Sequence, residues 1–149
     1  MRILIQECLE GSVTIDRQVV GSIKNGEVIF VSFTHGDDES ICDRMLDKLL
    51  KLRIFEDEEG KTNLSLDQIG GNILCISQFT LYADLSHGNR PSFVSALGEE
   101  GSKPLFDYFS KKLQERMPSA RFGVFGADMK VSLINDGPFT IWLDSKEIF

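Results

Sequence analysis

Cysteine is scarce: Cys8, Cys42 and Cys75 stand 34 and 33 residues apart in a chain of 149. No CxxC pair and no histidine at zinc-ligand spacing accompanies them, which argues against a disulfide framework and against a metal site. Sparse, odd cysteines suit a reducing compartment, where they serve as small buried hydrophobes. Long apolar runs are lacking as well. The longest, such as Val28–Phe33, fall far short of the roughly 18 residues of a membrane span. Met1 to Glu7 turns polar after three apolar residues, too soon for a secretory core, so a cytoplasmic address is expected. Positive charge is in deficit, 16 Lys and Arg against 23 Asp and Glu for a net −7, which speaks against coating nucleic acid through bulk charge. That charge is segregated. Residues 37–59 carry nine acids and four bases, whereas residues 86–121 carry six bases and four acids, leaving room for a local anionic contact. Familiar catalytic signatures are missing too, among them Gly-x-Ser-x-Gly, Gly-x-Gly-x-x-Gly and His-Glu-x-x-His. Gly21 and Gly26 have phosphate-loop spacing, but Glu27 stands in the lysine's place. A Ser-His-Asp site built from Ser77 or Thr80 with His35 or His87 finds no support in spacing.

What remains is the composition of one folded domain, 42% hydrophobic with 11 Phe, spanning residues 1–149 without a linker or repeat. Ile3, Ile5, Val13, Ile15, Val19 and Ile23 alternate roughly with polar residues, and Asp16-Arg17-Gln18 or Asn25-Gly26 supply turns, predicting an antiparallel meander. Val28–Phe33 reads as a central strand buried on both faces. Ile41, Met45 and Leu49 are four apart behind the acids at 37–39, which predicts a helix over about 38–51. Leu52–Phe55 resumes a strand, with Glu56–Gly60 as a solvated hairpin turn. Ile73–Ile76 predicts a second buried strand running on through Tyr82. The helical period returns from Ser102 to Met117, with Pro104 in the first turn and Pro118 as the stop. The tail reads as strand, turn at Asn135–Pro138, and strand. Helices interleaved with strands predict an α/β domain around a mixed, largely antiparallel sheet with two main helices.

Two segments are candidates for function. Ser77-Gln78-Phe79-Thr80-Leu81-Tyr82 crowds polar and aromatic groups at the end of a buried strand, where α/β sheets bind ligands. Asn135-Asp136-Gly137-Pro138 places a proline, which withholds a ladder donor, directly after a hairpin-type turn signal. On composition alone both read as scaffold.

Together, however, Ser77-Gln78-Phe79-Thr80-Leu81 and Asn135-Asp136-Gly137-Pro138-Phe139-Thr140 resemble the paired motifs of the D-aminoacyl-tRNA deacylases, small homodimeric proofreading enzymes. Further matches run along nearly the whole chain, at His35–Glu39, Leu52–Asp57, Asn63–Leu66, Asn89–Phe93 and Phe125–Met129. The resemblance implies hydrolysis of the ester that joins a D-amino acid, or glycine, to the terminal adenosine of tRNA, with no metal or other cofactor. Gly137-Pro138 would be the family's Gly-cisPro pair, inserted into the other subunit's pocket to capture the amino group and exclude L side chains. Ser77, Gln78, Phe79 and Thr80 would line the rest, with Phe79 near the adenosine and the Thr80 hydroxyl or backbone N–H groups polarising the carbonyl. Water attack assisted by the RNA 2′-hydroxyl fits better than Thr80 as nucleophile, which has no neighbouring base in the motif. Met129 would add an apolar wall, Asn135 would join the substrate-binding set, and Arg90, Lys103, Lys111, Lys112 and Arg116 could meet acceptor-stem phosphates. Where the family usually has an arginine after Gln6, this chain has Glu7. That keeps open a related deacylase with a roomier pocket that accepts small L-aminoacyl-tRNA. A non-catalytic oligomeric binder of a small ligand is the alternative from another class.

Overall fold

The computed structural model describes residues 1–149. Its organising element is β1, a single strand from Arg2 to Ile15. At 14 residues it is long enough to hold two partners end to end along one edge. β2 (Gln18–Ile23) pairs with residues 11–15 and β3 (Gly26–Ser32) with residues 2–8, both antiparallel. The predicted turns are real, and Asp16 and Arg17 take the left-handed conformation (φ 48° and 67°) that tight hairpins use. The meander order is corrected: β3 pairs with β1 rather than with β2. On the other side of β3 lies β6 (Asn72–Ser77), parallel to it, so β3 is central and buried as expected. β7 (Arg121–Phe122) adds to β6, and β8 (Lys130–Asp144) covers the other edge of β1 along its length.

Between these strands α1 (Glu39–Leu50) starts where the acids predicted, with the Asp38 carboxylate accepting from the Ile41 N–H at 2.9 Å. The expected strand over 52–55 shrinks to β4 (Phe55–Glu56), which pairs with β5 (Thr62–Leu64) around the acidic turn. α2 (Glu99–Arg116) begins three residues before Ser102. Glu99 and Glu100 suit its N-terminal dipole, and Pro104 therefore sits a turn further in than expected. A single turn, α3 (Ser145–Ile148), ends the chain. α1 and α2 cover one face of the sheet, where Ile3, Ile5, Ile29, Ile73, Met45, Leu49 and Phe109 share the main core. Val13, Ile23, Val28, Leu74 and Ile76 form a second apolar cluster. There the sheet curls so tightly that a Cβ on Gly21 would lie 3.2 Å from the Phe122 carbonyl oxygen. No helix is long and apolar enough to cross a membrane.

Two further expectations are corrected, and both corrections bear on function. The strand over 73–82 stops at Ser77, and Phe79–Tyr82 winds into a 3-10 turn. The tail hairpin at Asn135–Pro138 does not form, because β8 stays on β1 before and after it. Five residues of advance on β8, from Asn135 to Thr140, face two on β1, from Cys8 to Gln6. The surplus bulges outward, and Asp136, Gly137 and Pro138 are exposed.

Candidate functional site

β3 and β6 run parallel and end side by side, and a cavity of about 610 Å³ opens beyond their C-terminal ends. Its size is that of a small-molecule pocket. Ser77 is the last residue of β6, and the Gln78 N–H still donates to the Val31 carbonyl at 2.8 Å. The backbone then leaves the sheet. Ser32 Oγ donates to the Phe79 carbonyl (3.3 Å) and so fixes the start of the 3-10 turn. Ser77, Gln78 and Phe79 thereby line the cavity. Phe79 remains 56% exposed and meets Phe93 edge-on, ring centroids 5.0 Å apart, which presents an apolar ring to a ligand rather than to the core.

The opposite wall is the segment before α2, tied to the end of β3 by Leu97 N–H donating to the Phe33 carbonyl at 2.9 Å and Thr34 Oγ1 to the Ser95 carbonyl at 2.6 Å. Met129 closes the third side. Its sulfur lies so near Gly123 that a Cβ there would sit 2.5 Å from it. Residue 123 therefore has to be small for Met129 to seat, a requirement invisible in sequence until the connection between β7 and β8 folds back on itself. The only ionisable residues lining the cavity are Glu99 and Asp128. No group of three or more His, Cys, Asp or Glu is arranged to hold a metal ion.

Thr80 lies off the cavity lining; it is exposed, and its hydroxyl accepts from Gln78 Nε2 at 2.6 Å. Gly137, Pro138 and Asn135 are also absent from the lining. They sit beside Gln6–Cys8, next to the N-terminal end of β3, whereas the cavity opens at its C-terminal end. The Gly137-Pro138 peptide bond is cis and Gly137 has φ +126°. His35 is exposed, with Nε2 3.0 Å from the Val94 carbonyl. Of the five bases set against phosphates, Lys103 pairs with Asp107 (2.6 Å), Lys112 with Glu115 (3.7 Å) and Arg116 with Asp47.

A feature that the sequence reading missed lies under the bulge. Glu7 and Glu27 face each other across β1 and β3, Glu27 is 1% exposed, and neither oxygen of Glu27 has a hydrogen-bond partner. Burial first, and the Glu7 charge second, push the Glu27 carboxyl up to about 8. Burial, then Asp136 and Glu56, push Glu7 up to about 7.

Comparison with known proteins decides the family. The family model described as D-Tyr-tRNA(Tyr) deacylase matches residues 4–144. The chain belongs to this family. It is 49% identical over 148 residues to a D-aminoacyl-tRNA deacylase of Thermomicrobium roseum, covering 99% of this chain and 96% of that one. To one of Lactobacillus acidophilus it is 52% identical, covering 97% and 99%. Among solved structures, the c-Myc DNA unwinding element binding protein superposes with a TM-score of 0.91 at 34% identity, covering 97% and 98%. A probable eukaryotic D-amino acid tRNA deacylase (TM-score 0.82, 17% identity, covering 95% and 97%) shares the fold. As a member of the deacylase family the chain is a hydrolase of the aminoacyl-tRNA ester bond.

Proposed function

We propose that this deacylase acts in the cytoplasm as a homodimer and hydrolyses the ester linking a D-amino acid, or glycine, to the 3′-terminal adenosine of tRNA. One observation carries the reading. The cavity and the Gly137-Pro138 bulge, the two motifs of the family, lie at opposite ends of β3 in one chain, and the bulge projects into solvent. A second copy that docks its bulge over this chain's cavity would join them. The adenosine would lie against Phe79 and Met129, with its ester beside Ser77 and Gln78, and the partner's bulge would meet the amino-acid end. Carbonyls of Gly137 and Pro138 would accept from the α-ammonium, leaving room for a D side chain and colliding with an L one.

The chemistry needs little from side chains. The leading N–H groups of a 3-10 turn have no intrahelical acceptor, so the start of the Phe79–Tyr82 turn offers donors to an oxyanion. With no His, Lys or Cys on the lining, the attacking water would be oriented by Gln78 and by the 2′-hydroxyl of the RNA, and Thr80 would steady Gln78. The test is deacylation of D-tyrosyl-, glycyl-, L-tyrosyl- and L-alanyl-tRNA at low enzyme concentration. Rapid loss of the first two with both L esters spared is expected. Cleavage of L-alanyl-tRNA would favour the roomier-pocket reading that Glu7 keeps open, and no cleavage at all would overturn the proposal.

A further inference from the structure

Asn135 stands at the edge of the bulge, and both donor hydrogens of its side chain are used within the chain. Nδ2 donates to the Phe139 carbonyl (3.0 Å) and to the Glu7 carbonyl (3.1 Å), while Oδ1 accepts from the Phe139 N–H (3.1 Å). An asparagine amide has two donor hydrogens, so both are spent and none remains for a substrate. The pattern repeats what a strand would do. Oδ1 and Nδ2 serve the N–H and C=O of one residue, as a peptide of a neighbouring strand serves its partner. β1 cannot do this here, because Glu7 falls in the register gap between the pairs Gln6–Thr140 and Cys8–Asn135. The side chain thus fills the gap from within, and its third bond ties the bulge to β1.

Resting on the deacylase reading above, we propose that Asn135 is a positioning residue. Its amide substitutes for the missing ladder and fixes the direction in which Gly137 and Pro138 are presented to the partner's cavity. With its donors committed to Glu7 and Phe139, Asn135 acts through the bulge rather than as a donor to substrate. Between the two ends of the clamp stand only Asp136, Gly137 and Pro138, all exposed and without ladder bonds to β1. Without the clamp this segment keeps its attachment but loses its aim. Misdirection by about 1 Å suffices for a large loss of rate in a positioned reaction, and it blurs the collision that rejects L side chains.

The experiment compares wild type, Asn135→Ala and Asn135→Asp by single-turnover deacylation of D-tyrosyl- and L-tyrosyl-tRNA, with amide hydrogen exchange at Phe139 measured in each. Asn135→Ala is expected to cut the D rate at least tenfold, lower the D-over-L ratio at least tenfold, and speed exchange at Phe139 by a similar factor. Asn135→Asp keeps the acceptor for the Phe139 N–H but turns a carboxylate toward two carbonyls. It is expected to retain protection at Phe139 and still lose discrimination, which separates aim from simple unfolding and stands alone if the alanine variant does not fold. A D-over-L ratio within twofold of wild type in Asn135→Asp, or equal losses for both substrates in proportion to folded protein, would overturn the proposal. If wild type itself cleaves no D ester, the deacylase reading fails first and visibly apart from this one.

Discussion

The two ends of β3 are built on opposite plans. At its C-terminal end a concave wall is made by elements that stop: β6 breaks off at Ser77, the backbone turns, and the space left is lined by Phe79, Met129 and the approach to α2. At its N-terminal end a convex bulge is made by an element that refuses to stop, since β8 continues on both sides of Gly137-Pro138. The first end is apolar and holds few charges. The second stands over Glu7 and Glu27, with Glu56 and Asp136 acting on Glu7. A concave and a convex surface on one chain are what the proposed function requires, in which the complete pocket takes one half from each of two copies.

The sharpest way to break that comparison is to spoil the probe and leave the receptor alone. Gly137 has φ +126°, a region costly for any side chain, and an added Cβ would meet the Phe139 nitrogen at 3.0 Å. Gly137→Ala is expected to lower D-tyrosyl-tRNA turnover at least a hundredfold, about 2.7 kcal/mol in the barrier. Binding of an adenosine 3′-ester that lacks the α-amino group, measured by calorimetry, should stay within threefold, since no cavity residue is touched. Parallel loss of both would show that the two ends do not divide the work.

How much of this was legible beforehand follows from range of interaction. The α1 boundaries, the buried β3 and the hairpin at Asp16-Arg17 rest on neighbours in sequence, and the reading placed them well. The tail failed for the opposite reason. Asn-Asp-Gly-Pro has the local look of a hairpin, and only the long-range pairing of β8 with β1 turns it into a bulge. The 3-10 turn at Phe79 was hidden likewise, since a strand's apolar run gives no notice that its neighbour β3 ends at Ser32. Ser77, Gln78, Phe79 and Met129 were named from the motifs and line the cavity, whereas Thr80 and the second motif's Asn135, Gly137 and Pro138 lie off it. The Glu7–Glu27 pair went unread because two glutamates twenty residues apart show no relation until register sets them opposite.

That pair supplies the next test. A carboxyl whose folded value lies above its unfolded one, 4.5 rising to about 8 for Glu27, keeps a proton in the folded chain that the unfolded chain has lost. The unfolded state then binds fewer protons, so stability falls as pH climbs from about 4.5 to about 8 and levels off beyond. Glu27→Gln should match wild type near the lower limit. Above the upper one it should be more stable by on the order of 2 kcal/mol in urea melts, given about 1.4 kcal/mol per pKa unit reduced by relaxation. An unchanged pH slope in the variant would show that Glu27 is not the group responsible. On the receptor side, Phe79→Ala removes the exposed ring without disturbing the core. It should raise KM for the aminoacyl-tRNA about tenfold, in line with the roughly 1–3 kcal/mol of a base stacked on an aromatic ring, while kcat stays within threefold.

The smallest effect is expected at Thr80, the supporting contact of the first motif. Thr80 carries one of the two hydroxyls of its motif, yet it is exposed, lies off the cavity and accepts from Gln78 Nε2. Its hydroxyl is hydrogen-bonded by the Gln78 amide and by no base, and a threonine hydroxyl without a base is a poor nucleophile at neutral pH. Thr80→Val keeps the shape and deletes the acceptor, freeing the Gln78 amide to rotate. Turnover of D-tyrosyl-tRNA should fall less than tenfold, with the D-over-L ratio unchanged, since the proposed function assigns that ratio to the bulge at the other end of β3. A loss of a thousandfold, or capture of an aminoacyl-enzyme on Thr80 by mass spectrometry after acid quench, would move the reaction from an oriented water to a side chain and make the cavity a nucleophilic site after all.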